Sequence, residues 1–230
     1  MGIQIIGNGG VIAEVDGTTF RALRGTARPV DYGSLGSYGL SAQTGTIAAA
    51  LAASAVVFSA RWGDATRFAV IHSLRWHFLP LTPFTAATLT DHTSFAAFIG
   101  RSFSASHTGG TAITLTGNNM KRRASMGTTL FTDLRIATTA ALGGGTVTLD
   151  TQAFTQSIRK GNRVNPAAAT EEVIQPTTNG GNWSPDVCNG EHPIVLTTNE
   201  GIVIRNRTVW PAAGTGMMII EMNWSEVAAY

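Results

Sequence analysis

Alternating apolar and polar residues define the clearest element of this sequence. In residues 67–81, RFAVIHSLRWHFLPL, one set of alternate positions is apolar apart from a single histidine: Phe68, Val70, His72, Leu74 and Trp76. The positions between them are Ala69, Ile71, Ser73, Arg75 and His77. Because successive side chains of a strand point to opposite faces, the pattern predicts a β-strand with one apolar face. Pro80 and Pro83 are expected to end it, since proline cannot donate to a ladder.

Shorter segments of the same kind follow along most of the chain. Residues 56–58, 112–116, 130–136 and 146–149 are rich in β-branched and other apolar residues, and the last block alternates from Met218 to Trp224. Residues 89–107 also favour strand, and Asp16-Gly17 is typical of a hairpin turn. No segment has the period of a long amphipathic helix. The sequence therefore predicts an all-β fold, an antiparallel β-sandwich of jelly-roll type.

Composition along the chain suggests how this fold is divided. Residues 1–10, MGIQIIGNGG, are an apolar run closed by glycines and are predicted to form an extended N-terminal arm. In a chain of 230 residues, the remaining part, 11–230, suits a single sandwich domain. Residues 159–192 contain Pro166, Pro176 and Pro185, which predict a long irregular loop or an excursion at a sheet edge.

An uncharged run extends from Tyr32 to the residue before Arg61. Its apolar part, within 45–62, is short for a membrane helix and rich in alanine, so we expect a closely packed small-residue segment and then a strand, with no membrane partner. Charged residues make up 13% of the chain, against about 25% in a typical soluble domain. Few charges then need desolvating when subunits pack. The candidate interface residues are Ile47, Ala50, Leu51 and Ala53.

Charge and cysteine content narrow the possible partners. The net charge of +2 is too small for a nucleic-acid footprint, and the basic run at 121–123 is of a kind usually found in solvated loops. We therefore expect no nucleic-acid partner. Cys188 is the single cysteine, so no intramolecular disulfide can form.

Candidate catalytic and metal-binding residues do not assemble into a motif. His72 and His77 are five positions apart, which puts them on opposite faces of a strand, and His72 is predicted to be a satisfied core histidine. Cys188 and His192 are a weak nucleophile–base pair. No G-x-S-x-G or phosphate-binding motif occurs. A carboxylate pair stays open, since 14 acidic residues are scattered along the chain. We predict no enzyme, no cofactor and no metal.

Two tryptophans lie beside prolines in predicted loops. Trp183 precedes Ser184-Pro185, and Trp210 precedes Pro211. Exposed aromatic side chains there could stack on sugars or anchor a partner, so both are candidate contact residues. The alternative is that they cap the end of the sandwich core.

Both ends of the chain resemble a recurrent type of tailed-bacteriophage virion protein. The resemblance lies in GGVIAEVDGTTFRALRGTARPVDYGSLGSYGLSAQTGTIAA and FSARWGDATRFAVI, and in PIVLTTNEGIVIRNRTVWPAAGTGMMIIEMNWSEV. The most distinctive parts are Asn199-Glu200-Gly201 and the run Trp224 to Val227. No catalytic motif accompanies it.

The resemblance implies a capsid-associated structural protein, such as a decoration or cement protein, or a minor head or tail component. A cement protein of this size is often a homotrimer bound to the major capsid protein on the capsid surface, after synthesis in the bacterial host cytoplasm. The competing hypothesis is a receptor- or glycan-binding module of a fibre or tail, which would use Trp183 or Trp210 together with the 159–192 loop.

Overall fold

The computed structural model describes residues 35–82, 92–160, 180–186 and 191–228, together with four short strands elsewhere. Every regular element in these residues is a β-strand. The strands are β1 Val15–Asp16, β2 Ala22–Leu23, β3 Gly36–Gln43, β4 Val56–Trp62, β5 Phe68–Thr82, β6 His92–Ala105, β7 Thr111–Ala112, β8 Phe131–Ile136, β9 Thr146–Leu149, β10 Thr155–Lys160, β11 Arg163–Val164, β12 Glu171–Glu172, β13 Gly180–Trp183, β14 Ile194–Leu196, β15 Gly201–Asn206 and β16 Thr215–Val227.

The chain divides into two compact units, Met1–Asp31 and Tyr32–Tyr230. In the first unit, β1 and β2 pair antiparallel on either side of residues 17–21, as expected for a hairpin at Asp16-Gly17. The arm predicted for 1–10 lies outside the described residues. The predicted division of the chain into an arm and one domain stays a prediction.

Two antiparallel sheets make up the second unit. Sheet A has the strand order β10-β6-β15-β4-β8-β7, and β9 also pairs with β6. Sheet B has the order β13-β5-β16-β3, and β14 also pairs with β5. A separate pair is formed by β11 and β12. The predicted all-β sandwich is confirmed.

The hydrophobic core lies between the two sheets. Sheet A contributes side chains such as Phe58 and Leu134, and sheet B contributes Trp76 and Met222, all fully buried. The Phe78 and Phe95 rings meet across the sandwich at 5.4 Å. Burying one side chain of this size contributes about 1.5–3 kcal/mol, so this core is the main source of stability.

The predicted apolar face of β5 is wrong in its first half. The core contains Ala69 and Ile71, followed by Leu74, Trp76 and Phe78, whereas Phe68, Val70 and His72 are not part of it. The register with β16 shifts between Asn223, which lies opposite Ser73, and Trp224, which lies opposite Ile71, so His72 is an extra residue in β5. This extra residue is a β-bulge, and a bulge moves the residues beyond it to the opposite face.

Two further boundaries differ from the sequence-based expectation. β5 continues past Pro80 to Thr82, and Pro80 lies opposite Gly216 beside a second shift in register, where proline is tolerated. The strand predicted over 112–116 is β7, which ends at Ala112. Within the predicted loop 159–192, residues 180–183 pair with β5 as an edge strand.

Candidate interaction surface

The four predicted interface residues separate into two pairs. Ile47 and Leu51 are buried, at 0% and 7% exposure, and belong to the core. Ala50 and Ala53 are exposed. A partner therefore cannot contact Ile47 or Leu51 in this fold, because their side chains fill the end of the sandwich. Ala50 and Ala53 remain as candidate contact residues.

Main-chain hydrogen bonds fix the small-residue segment 45–55 against two other segments. Ala48 N donates to Thr139 O and Ala50 N donates to Pro211 O, both at 2.9 Å. Trp210 N donates to Leu51 O, also at 2.9 Å. These bonds bring together chain segments that are all without charge: 32–60, 136–149 and 208–220. The exposed residues of these segments therefore lie near one another and carry no charge of their own.

We name this area the neutral surface. Its members are exposed, small or apolar, and uncharged: Ala48, Ala50, Ala52, Ala53, Ser54, Thr139, Ala140, Val209, Ala212 and Ala213. Ala50 and Ser54 have positive φ angles of 57° and 63°. An alanine in this left-handed region costs about 1–2 kcal/mol. The strain is held in place by the hydrogen bonds to the neighbouring segments.

The exposed position predicted for Trp210 is wrong. Its side chain is 2% exposed and packs edge-on against Phe78 and Phe95, with ring centroids at 5.3 and 5.9 Å. It caps the core, which was the alternative interpretation. Trp183 is half-buried, and its ring packs edge-on against Phe154 at 5.7 Å. A contact role for Trp183 stays a prediction.

Two of the described histidines, His72 and His107, have contacts that stabilise the fold. His72, half-buried in the bulge, has its Nε2 2.8 Å from Ser225 Oγ, and burial lowers its pKa. His107 Nδ1 lies 2.8 Å from Ser59 Oγ, and burial lowers its pKa although Asp133 opposes this. A serine hydroxyl beside a histidine ring is the combination found in nucleophile–base pairs. Ser59 and His107 are both buried, however, at 1% and 5% exposure. A substrate cannot reach them in this conformation.

Sequence reasoning missed Glu226, a carboxylate inside the sandwich at 1% exposure. Its Oε1 accepts hydrogen bonds from Thr129 Oγ1 at 2.5 Å, Leu130 N at 3.0 Å and Trp224 Nε1 at 3.2 Å. Burial raises the pKa of Glu226, and these donors partly offset the rise. Burial and the nearby Glu226 raise the pKa of Tyr38 to about 12. Glu226 therefore joins the end of β16 to the segment before β8.

Both distinctive parts of the phage resemblance have structural roles. Asn199, with a φ of 62°, turns the chain between β14 and β15, and its Oδ1 accepts from Arg61 Nη2 at 2.7 Å. In the run from Trp224 to Val227, Trp224 stacks on Tyr38 at 5.5 Å and Ser225 contacts His72. These residues stabilise the sandwich rather than form a reactive site.

A second exposed area lies on the outer face of sheet B. We name Leu79, Leu81, Met217 and Ile219 the apolar strip; Leu79, Leu81 and Ile219 are 53%, 42% and 38% exposed. Leu79 is the register partner of Met217, and His77 that of Ile219. The signal was present in the sequence, because Leu79 and Leu81 occupy the same alternate positions of residues 67–81 as Arg75 and His77.

Metal sites and membrane-spanning helices are both absent from the residues that the structure describes. No group of three or more histidine, cysteine, aspartate or glutamate side chains there could hold a metal ion. Nor does any helix in them have the length and apolar character needed to cross a bilayer. Cys188 lies outside the described residues. His192 is exposed, with Nδ1 2.9 Å from Pro193 O.

Comparisons with protein-family models, with curated proteins and with solved structures found no match to this chain.

Proposed function

We propose that this chain is a structural virion protein of a tailed bacteriophage. It binds the outside of the capsid and stabilises it as a cement or decoration protein, and it acts as a homotrimer. Its partners are other copies of itself and the major capsid protein, and it needs no cofactor and performs no catalysis.

The observation that carries the proposal is the neutral surface. Three separate uncharged segments meet there, so another protein can cover these residues without desolvating a charge on them. The titratable groups that could suggest chemistry, such as His107 and Glu226, are engaged in buried contacts of the sandwich. Holding neighbours together requires buried area and shape, which this scaffold offers. The phage resemblance supports the same function.

A charge placed on the neutral surface tests this function. Ala50→Arg should weaken self-association or capsid binding by at least about tenfold, because an unpaired charge would be desolvated. Alanine and arginine both carry a Cβ, so the strain at Ala50 is unchanged and the chain should still fold. Ala124→Arg changes an exposed alanine of the loop before β8 and is the matched control.

Association is measured by light scattering over a dilution series, and capsid binding by cosedimentation with empty capsids of the phage that encodes the chain. A mass near three times 24.1 kDa is expected for the wild type. Normal capsid binding by Ala50→Arg, together with a wild-type mass, would contradict the role of the neutral surface. Absence of capsid binding by the wild type would contradict the cement function itself.

The competing function, a glycan- or receptor-binding module, now depends on Trp183 and the 159–192 loop, since Trp210 is buried. Loss of a glycan-array signal in Trp183→Ala would favour it over the cement function.

A further inference from the structure

The apolar strip lies at one end of a regular ladder on the outer face of β5 and β16. Moving along the two strands, the register pairs are Ser73–Asn223, Arg75–Glu221, His77–Ile219 and Leu79–Met217. The ladder therefore changes from polar to apolar within about 20 Å of strand length. Leu79, Leu81 and Ile219 are three of the four large hydrophobic side chains that are exposed among the described residues. Such a concentration on one face is typical of a contact surface.

The charged pair beside the strip has one positive and one negative member on neighbouring strands. Arg75 Nη2 lies 3.2 Å from Glu221 Oε2, and the two side chains are 50% and 37% exposed. An exposed pair of this kind contributes little to the stability of a single chain. Both groups remain accessible on the side away from each other. The face thus offers a cation along β5 and an anion along β16.

This arrangement of charges favours one kind of occupant. A nucleic acid or another uniformly acidic surface would approach Glu221 with like charge, and a basic surface would approach Arg75 with like charge. A second copy of the same face carries both signs and the same apolar strip. Several copies of the chain can form a closed ring around an axis parallel to the strands. In such a ring, each copy places its Arg75 against Glu221 of one neighbour and its Glu221 against Arg75 of the other. Every charge at these contacts is then paired.

We propose that the outer face of sheet B contacts other copies of this chain, with the apolar strips packed together and Arg75 of one copy facing Glu221 of the next. This inference rests on the self-association included in the proposed function, and it names the face that makes the contact. Burial of the strip supplies the driving force, and the charged pair fixes the register between copies.

Charge reversal tests the contact between copies. Arg75→Glu gives a face with two anions, and Glu221→Arg gives a face with two cations. Each variant alone should associate about 100-fold more weakly than the wild type, because like charges meet at every contact. In a ring of three, equal amounts of the two variants give two contacts of opposite charge and one of like charge, so mixing should restore association in part. The double variant Arg75→Glu/Glu221→Arg makes every contact opposite in charge and should restore association in full. If Arg75 and Glu221 interacted only within one chain, mixing the two variants would not restore association.

The matched control is a similar exposed pair on sheet A. Arg101 Nε lies 2.9 Å from Asp150 Oδ1, with side chains 50% and 33% exposed. Arg101→Glu and Asp150→Arg should leave the mass at the wild-type value. Light scattering over a dilution series gives the masses, and far-ultraviolet circular dichroism confirms that each variant is folded.

Partial rescue on mixing and full rescue in the double variant, with unchanged control variants, support the proposal. Reversal variants that associate like the wild type would overturn it and leave the cement function intact. Weak association that neither mixing nor the double variant restores would overturn it as well. A wild type that stays monomeric at every concentration would overturn both this contact and the homotrimer, while cosedimentation with capsids still tests the cement function separately.

Discussion

The outer faces of both sheets carry large apolar side chains, but these side chains are buried on sheet A and exposed on sheet B. On sheet A, Phe98 and Val203 point away from the core, yet they are 2% and 0% exposed. On sheet B, Leu79 and Ile219 point away from the core and remain open. Strand alternation determines the face on which a residue lies. Whether that face is covered depends on the rest of the chain.

Sheet A is covered by the chain itself. The Phe103 ring lies over Gly100 and Gly201, where a Cβ would meet the ring at 2.5 and 2.8 Å. The Arg205 guanidinium stacks on Phe98 at 4.1 Å from the ring centroid. His107 reaches back to Ser59 on β4. The outer face of sheet A therefore behaves as a second, smaller core, whereas the apolar strip of sheet B has no such cover from the described residues.

The largest expected effect comes from truncating one apolar side chain on each outer face. Phe98→Ala should lower the free energy of unfolding by about 3–5 kcal/mol, because a buried aromatic ring is lost. Leu79→Ala should change it by less than about 0.5 kcal/mol in the dissociated chain, because Leu79 is exposed. Urea denaturation at low protein concentration measures both. Equal losses for the two variants would show that the faces do not differ.

A smaller effect is expected from the buried histidine on sheet A. Burial lowers the pKa of His107 in the folded chain, so the folded state binds fewer protons than the unfolded state. His107 therefore contributes stability above its ordinary pKa of 6.5, and this contribution is lost as the pH falls towards the folded-state pKa. At pH 7, His107→Gln should cost about 1 kcal/mol through the contact with Ser59.

The effect of His107 titration is measured as the slope of the free energy of unfolding against pH, between pH 7 and pH 5. The slope should be shallower in His107→Gln than in the wild type. His72, whose pKa is also lowered by burial, supplies part of the remaining slope. An unchanged slope would mean that His107 is solvated, and that the outer face of sheet A is more open than described.

The smallest effect concerns the neutral surface, which is exposed like the apolar strip but consists mainly of small side chains. Ala50→Gly should raise the free energy of unfolding by about 0.5–1 kcal/mol, because glycine adopts a positive φ without strain. It adds no charge, so association should be unchanged, in contrast to Ala50→Arg. Thermal denaturation and light scattering measure the two properties. A loss of stability would indicate that the Ala50 methyl group is packed rather than exposed.

Much of the fold follows from local patterns in the sequence. Alternation in 67–81, in the threonine-rich middle and in the last block predicts β5, β8, β9 and β16, because a half-buried strand needs one apolar face. The bulge at His72 could not be predicted, since it depends on how β16 aligns with β5. Local patterns specify strands, but the register between distant strands belongs to the whole fold.

The site residues show the same limit. Ile47 and Leu51 were grouped with Ala50 and Ala53 because they share one uncharged segment, yet packing sends the larger side chains inward. Glu226 could not be recognised as buried, because the donors that satisfy it, Thr129 and Leu130, are 97 and 96 positions away. Trp210 lies beside a proline and was expected in an exposed loop, but the aromatic rings of β5 and β6 surround it.

The central position of β16 has a consequence for the order of folding during synthesis. β3 and β5 enter sheet B on either side of β16 and pair with it rather than with each other. A ribosome that has made β3 and β5 must add more than 130 further residues before β16 can join them. Until then, β3 pairs with no other described strand of sheet B, and β5 can pair only with the short strands β13 and β14. We therefore expect sheet B, and with it the sandwich core, to form only after β16 has been made.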